Sequence, residues 1–280
     1  MAGTALVLGG GGVTGIGWMT GVLHGLALAG TDPAAVDLVI GTSAGAALGA
    51  QLAAGTHGID ALYEQQISGE EFEIPGRLRP GAILRYARAL LTSRTPEEYG
   101  QKLGALALAA PTVPEEQRRA VIARRVGSDS WPARALAVTA VDAVTGELRI
   151  FDKDSGVPLV DAVAASSAVP VAWPPVTIEG RKWIDGGVYS PANVQLAAGY
   201  DRVVVISPTG SGNKVIAAPS AQAAALTAAG ARVEVITPGS AARKAMGRNR
   251  LDPARRAPAA RAGLAQAAAH AEAVAAVLAG

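Results

Sequence analysis

Within its first 55 residues the chain twice runs from a short apolar segment through glycines into a helix-length stretch. "TALVLG" leads through "GGGVTGIG" into "GWMTGVLHGLALAG", which closes at Gly30. "VDLVIG" leads through "TSAG" into "AGAALGAQLAAG", which closes at Gly55. Strand, tight turn and helix repeated in this order predict parallel strands covered by helices, because parallel neighbours need a helical crossover. Further on, "RALAVTAVDAVTGELRIF" reads as two antiparallel strands joined near Thr145-Gly146. "RVVVISP" and "RVEVITP" read as buried strands flanking the helix "APSAQAAALTAAGA".

Composition fits one large α/β domain over residues 1–280. Half of the 280 residues are apolar and few are aromatic, so the core is built from small and branched side chains. A net charge of +2 gives no field suited to nucleic acid. With no cysteine there are no disulfides, no thiolate metal sites and no thiol nucleophile. The first charged residue is Asp32, yet the start lacks a basic leader and is too glycine-dense for a spanning helix. The expectation is a protein that is cytoplasmic, with room for a peripheral contact with a membrane. Residues 57–130 change character: Thr95-Pro96-Glu97-Glu98 and Val113-Pro114-Glu115-Glu116 start short amphipathic helices, expected to cap one end of the sheet, the competing reading being a plain helical excursion packed on a face. Residues 242–263 hold seven Lys/Arg against Asp252 alone. They read as a solvated helical face, the alternative being a weak contact with anionic headgroups. "LAQAAAHAEAVAAVL" reads as one terminal amphipathic helix.

Ser43 stands in Gly41-Thr42-Ser43-Ala44-Gly45, the Gly-x-Ser-x-Gly pattern of a nucleophile elbow. Small residues are needed where a strand turns sharply into a helix, and the helix N-terminus aims free N–H groups at the serine. A serine that merely caps the helix is the competing reading. The alcohol needs a base. His24 lies on the first helix, His57 just past the second and His270 in the terminal helix, and none stands where a histidine triad requires it. Asp185-Gly186-Gly187 instead delivers a carboxylate from a strand onto two glycines that let another loop approach. The competing reading there is an ordinary Asp-Gly turn.

The loop Gly10-Gly11-Gly12-Val13-Thr14-Gly15 also matches a dinucleotide fingerprint, but the acid expected at the end of the second strand is missing, and Asp37 stands at that strand's other end. Successive glycine amides can instead form an anion nest beside the serine. Loop, elbow and Asp-Gly-Gly in this order resemble the patatin-like phospholipases, over roughly residues 4–55 and 134–207. "AASSAVPVAW" before the acid and Asn193 after it support the likeness.

The resemblance implies a three-layer α/β/α fold with a mostly parallel central sheet and a helical cap insertion. It implies a Ser43–Asp185 dyad with no histidine, no metal and no cofactor. Amides of about Gly10, Gly11, Gly12 and Ala44 would form the oxyanion hole, supported by Gly15, Gly41, Gly45, Gly186 and Gly187. Lipid acyl esters would be the substrates. The alternative is a silent lipid- or partner-binding module on the same scaffold. Many relatives carry arginine where Thr14 stands, which bears on headgroup preference.

Overall fold

A computed structural model describes residues 3–68, 74–77 and 80–279. The elements are β1 (Thr4–Leu8), α1 (Gly12–Leu28), β2 (Leu38–Thr42), α2 (Ala44–Ala54), α3 (Ile59–Ser68), α4 (Pro80–Thr92), α5 (Pro96–Leu108), α6 (Glu115–Val126), β3 (Ala135–Asp142), β4 (Leu148–Phe151), α7 (Leu159–Ser166), β5 (Val176–Ile178), β6 (Arg181–Asp185), β7 (Arg202–Ile206), α8 (Pro219–Ala228), β8 (Arg232–Ile236), α9 (Ser240–Met246), α10 (Arg256–Ala267) and α11 (Ala271–Leu278).

Among the described residues eight strands form one sheet, hydrogen-bonded in the order β5-β6-β3-β2-β1-β7-β8 with β4 also on β3. The strands from β3 to β8 in that order are mutually parallel, and β4, β5 and β6 join antiparallel. Alternate residues of each strand face opposite sides. Leu6, Leu8, Val204 and Ile206 pack in one core with α1, α2, α7 and α10. Ala5, Val7, Val203 and Val205 pack in another with α8 and residues 192–197. The expected mixed α/β fold with a mostly parallel central sheet is the one observed.

The register of β3 brings distant parts of the chain together. Val138 and Thr139 pair with both β2 and β4, so those strands hold opposite edges of β3. Ala140 and Val141 pair with both β4 and β6. Since a strand has two edges, β6 continues along the edge that β2 leaves. Thr42 sits opposite Thr139, and Asp185 sits opposite the next residue, Ala140. The end of β2 therefore abuts the end of β6.

Several sequence expectations need adjusting. The first helix starts at Gly12 rather than Gly17, so the second half of the glycine loop is its first turn. β8 is a half-exposed edge strand rather than a buried one. The terminal helix is two, α10 and α11, broken at residues 268–270, where His270 Nδ1 lies 2.9 Å from Glu234 Oε1. The break turns α11 back across β7 and β8. Within residues 57–130, α3 packs on α1 and α10, and α6 on α2 and α7, while α5, with α4 against it, covers β3, β6 and the turn after β6. No helix among the described residues is long and apolar enough to cross a membrane.

Candidate active site

The elbow is forced by its neighbours. A Cβ on Gly45 would stand 2.0 Å from Leu8 O, and one on Gly41 would stand 2.5 Å from Ala46 Cα. Only glycine lets β2 turn into α2 this close to β1. Ser43 between them takes φ 54°, a left-handed conformation that a non-glycine residue adopts at a cost. The surroundings hold it there: Ser43 N–H donates to Ser166 Oγ (2.8 Å), and Ser167 Oγ donates to Ser43 O (3.4 Å). Ser43 Oγ does not cap α2. It donates instead to Asp185 Oδ2 at 2.6 Å.

Asp185 is 5% exposed. Its other oxygen, Oδ1, accepts Gly187 N–H at 2.7 Å, and its own N–H donates to Ala168 O. Gly186 lies against Thr139, where a Cβ would fall 2.3 Å from Oγ1. Beneath the pair, Asn193 Nδ2 lies within hydrogen-bond distance of Thr42 Oγ1 (3.0 Å), Thr139 Oγ1 (3.3 Å) and Ser190 O (3.2 Å), its two hydrogens shared among them. That amide ties β2, β3 and the turn after β6 into one frame.

Burial pushes the Asp185 carboxyl up to about 6, against the opposing pull of the Ser43 and Gly187 hydrogen bonds and the positive charge of Arg118. Arg118 is itself buried and stacks on Trp173 at 4.2 Å. Burial lowers its guanidinium to about 10, still a cation at neutral pH.

The glycine loop crosses directly over the serine: a Cβ on Gly10 would stand 3.4 Å from Ser43 Cβ. One expected donor drops out. Gly10 N–H is engaged by Pro191 O at 2.7 Å. The N–H groups of Gly11, Gly12 and Ala44 have no partner among the described residues, as the first amides of α1 and α2 must. Gly12 takes φ +63°, with Arg250 O where its Cβ would go. Gly15 lies in the first turn of α1, donating to Gly11 O. Thr14 is fully buried, so this position of the glycine loop faces the interior.

Ser43, Asp185 and Gly10 to Gly12 line a cavity of about 660 Å³. Its apolar wall includes Ile83, Tyr86, Leu103, Val188 and Ile216. Arg77, Arg248 and Arg250 line it as well. Part of the basic segment read as a solvated face thus borders the cavity, and Arg256 of the same segment is buried. Sequence reasoning missed Ser166, Ser167 and Pro191 as parts of the site. The first two lie inside "AASSAVPVAW", where the family likeness is the one signal that could point to them. His24 stacks on Tyr63, and His57 hydrogen-bonds its neighbour Thr56. Neither histidine, nor His270, lines this cavity. Asp37 accepts from Thr4 N–H and Oγ1, at the far end of β2.

A family model described as patatin-like phospholipase matches residues 6–198. The crystal structure of VipD from Legionella pneumophila aligns with a TM-score of 0.50 at 16% identity, covering 97% of this chain and 67% of that one. The crystal structure of the type III effector protein ExoU aligns with a TM-score of 0.39 at 17% identity, covering 96% of this chain and 52% of that one. The chain thus spans about two thirds of the one and half of the other. The likeness to VipD is one of fold. No curated protein sequence matches the chain.

Proposed function

This chain belongs to the patatin-like phospholipase family, and on that premise we propose that it is a serine acyl hydrolase of lipid esters working through Ser43 and Asp185. Ser43 Oγ attacks the ester carbonyl while Asp185 Oδ2, already its hydrogen-bond acceptor at 2.6 Å, takes the proton. The tetrahedral oxyanion is met by the N–H groups of Gly11, Gly12 and Ala44, at the positive ends of α1 and α2. Asp185 returns the proton to the departing alcohol, leaving an acyl ester on Ser43. Asp185 then deprotonates water, which attacks that ester. The fatty acid leaves and Ser43 recovers its proton.

A carboxyl held near 6 is ionised at neutral pH yet a better base than an exposed aspartate. The apolar wall suits an acyl chain, and the arginines suit an anionic headgroup in peripheral contact with a membrane. The observation that carries the reading is the Ser43–Asp185 hydrogen bond.

The test is hydrolysis of a soluble short-chain ester and of a phospholipid panel, together with labelling by a fluorophosphonate. Ser43→Ala should abolish labelling and lower kcat on the order of a thousandfold or more. Asp185→Asn should do nearly as much damage. Undiminished hydrolysis by folded Ser43→Ala protein overturns the reading. A wild-type chain that neither labels nor hydrolyses supports a silent lipid-binding module instead.

A further inference from the structure

The helix α4 has one side on the molecule and one side unexplained. Ala82, Ala89 and Ser93 are buried, and Tyr86 donates its hydroxyl to Pro170 O at 2.7 Å. Positions 82, 86, 89 and 93 recur at helical spacing and form the inward stripe. The opposite stripe, at 84, 87 and 91, is also apolar: Leu84 is 72% and Leu91 73% exposed, and Ala87 is exposed too. Ile83 beside them is 57% exposed and at the same time lines the cavity above Ser43. Three of the seven large exposed apolar side chains among the described residues sit on this one helix.

The charged residues of α4 itself have one sign, Arg85 and Arg88, while the acidic residues of the neighbouring sequence, Glu70, Glu71 and Glu73 before the helix and Glu97 and Glu98 after it, stand outside it. Arg85 and Arg88 are exposed along the flank of the stripe. The last carbonyls of the helix are held by further cations: Lys214 Nζ donates to Leu91 O (2.6 Å), and Lys102 Nζ donates to Thr92 O (2.6 Å). An exposed apolar face with basic flanks is what binds the plane between lipid headgroups and acyl chains. A second copy of the chain fits poorly, since a two-fold contact through this face would press Arg85 and Arg88 against their like-charged equivalents.

We propose that the Leu84–Leu91 face of α4, flanked by Arg85 and Arg88, docks the protein on an anionic lipid surface with the catalytic cavity opening beside it. The role rests on the acyl-hydrolase reading for its purpose, because Ile83 would join the membrane face to the acyl-binding wall. Binding itself can be measured without that reading.

The experiment is flotation of the 280-residue Ser43→Ala protein with vesicles of phosphatidylcholine, alone or in equal parts with phosphatidylglycerol. The protein should float with the mixed vesicles and far less with the neutral ones, and added salt should weaken the binding. Leu84→Ser combined with Leu91→Ser should lower partitioning at least tenfold. Arg85→Gln combined with Arg88→Gln should erase the preference for the anionic vesicle. With Ser43 intact, the leucine variant should lower the ratio of vesicle-lipid hydrolysis to soluble-ester hydrolysis. Thermal unfolding guards against a folding defect, which these exposed positions are not expected to cause. No flotation with either vesicle overturns the proposal, as does undiminished flotation of the leucine variant. So does a dimer on sizing that the leucine variant converts to a monomer. Lack of ester hydrolysis by the wild type with flotation preserved would sink the enzymatic reading and leave the docking surface standing.

Discussion

Asp185 is where function and stability pull apart. Its carboxyl titrates near 6 in the folded chain against 3.8 for an ordinary aspartate, so the native state holds the proton more tightly than the unfolded chain does. The stabilisation that this provides is complete below 3.8 and is lost as pH rises through 6. One pKa unit is about 1.4 kcal/mol, so the buried carboxylate costs the fold roughly 3 kcal/mol at neutral pH. Asp185→Asn should therefore raise the Tm at pH 8 and change it little near pH 3.5, while removing the base. The activity profile runs the other way. For the wild type, kcat/KM on a soluble ester should fall about tenfold per pH unit below 6, as Asp185 takes up the proton that it must accept from Ser43. A flat profile between pH 5 and 8, or equal Tm values at both pH extremes, would contradict this account of the carboxyl. The residues themselves were legible because their constraints are local. Gly41, Gly45 and the Asp185-Gly186 step each mark a turn too tight for a side chain. Pro191 O was not legible as the partner of Gly10, since nothing near either residue in sequence announces the contact.

At the scale of elements, the glycines of α1 have a use that their spacing alone does not reveal. Gly17, Gly21 and Gly25 recur every four residues and face α10. A Cβ at Gly21 would lie 2.0 Å from Ala260 O, and one at Gly263 on α10 would lie 2.1 Å from Trp18 O. The two helices thus meet backbone to backbone. Gly21→Ala gains about 1 kcal/mol of helix propensity but drives a methyl into a carbonyl that cannot rotate away, and overpacking costs about 1–3 kcal/mol or more. The net expectation is a clear fall in denaturant midpoint. Gly81→Ala, where an added Cβ meets nothing within 4 Å, should leave the midpoint level or slightly raised. If the two variants behave alike, the close approach of α1 and α10 is not as described. The helical stretch was readable from Gly17 onward, though not its first turn at residues 12–16. Its partner, more than 200 positions away along the chain, was not, because periodicity identifies a buried face without saying what buries it. The same limit explains the basic segment: its charge was plain in the sequence, its position beside the cavity was not.

Across the whole molecule, the family model ends at residue 198, but the sheet does not. β7 pairs with β1 along its full length, and Val203 to Ile206 are completely buried. Without residues 199–280, β1 would become an edge strand with apolar side chains on both faces and an unpaired row of backbone groups. α1 would lose α10 and expose its glycine-lined face. The cavity would lose Arg248 to Leu251 from its lining, and Gly12 and Thr14 would lose Arg250 O, against which the glycine loop is set. Ser43 and Asp185 both lie before the cut, yet the frame that aligns them rests on β2, whose other neighbour is β1. A fragment of residues 1–198 should therefore aggregate or remain unfolded, without a cooperative thermal transition and without fluorophosphonate labelling at Ser43, under conditions where the full chain has both. A monomeric fragment that melts cooperatively and labels would mean that the C-terminal strands and helices are added to a self-sufficient unit, rather than forming half of its core.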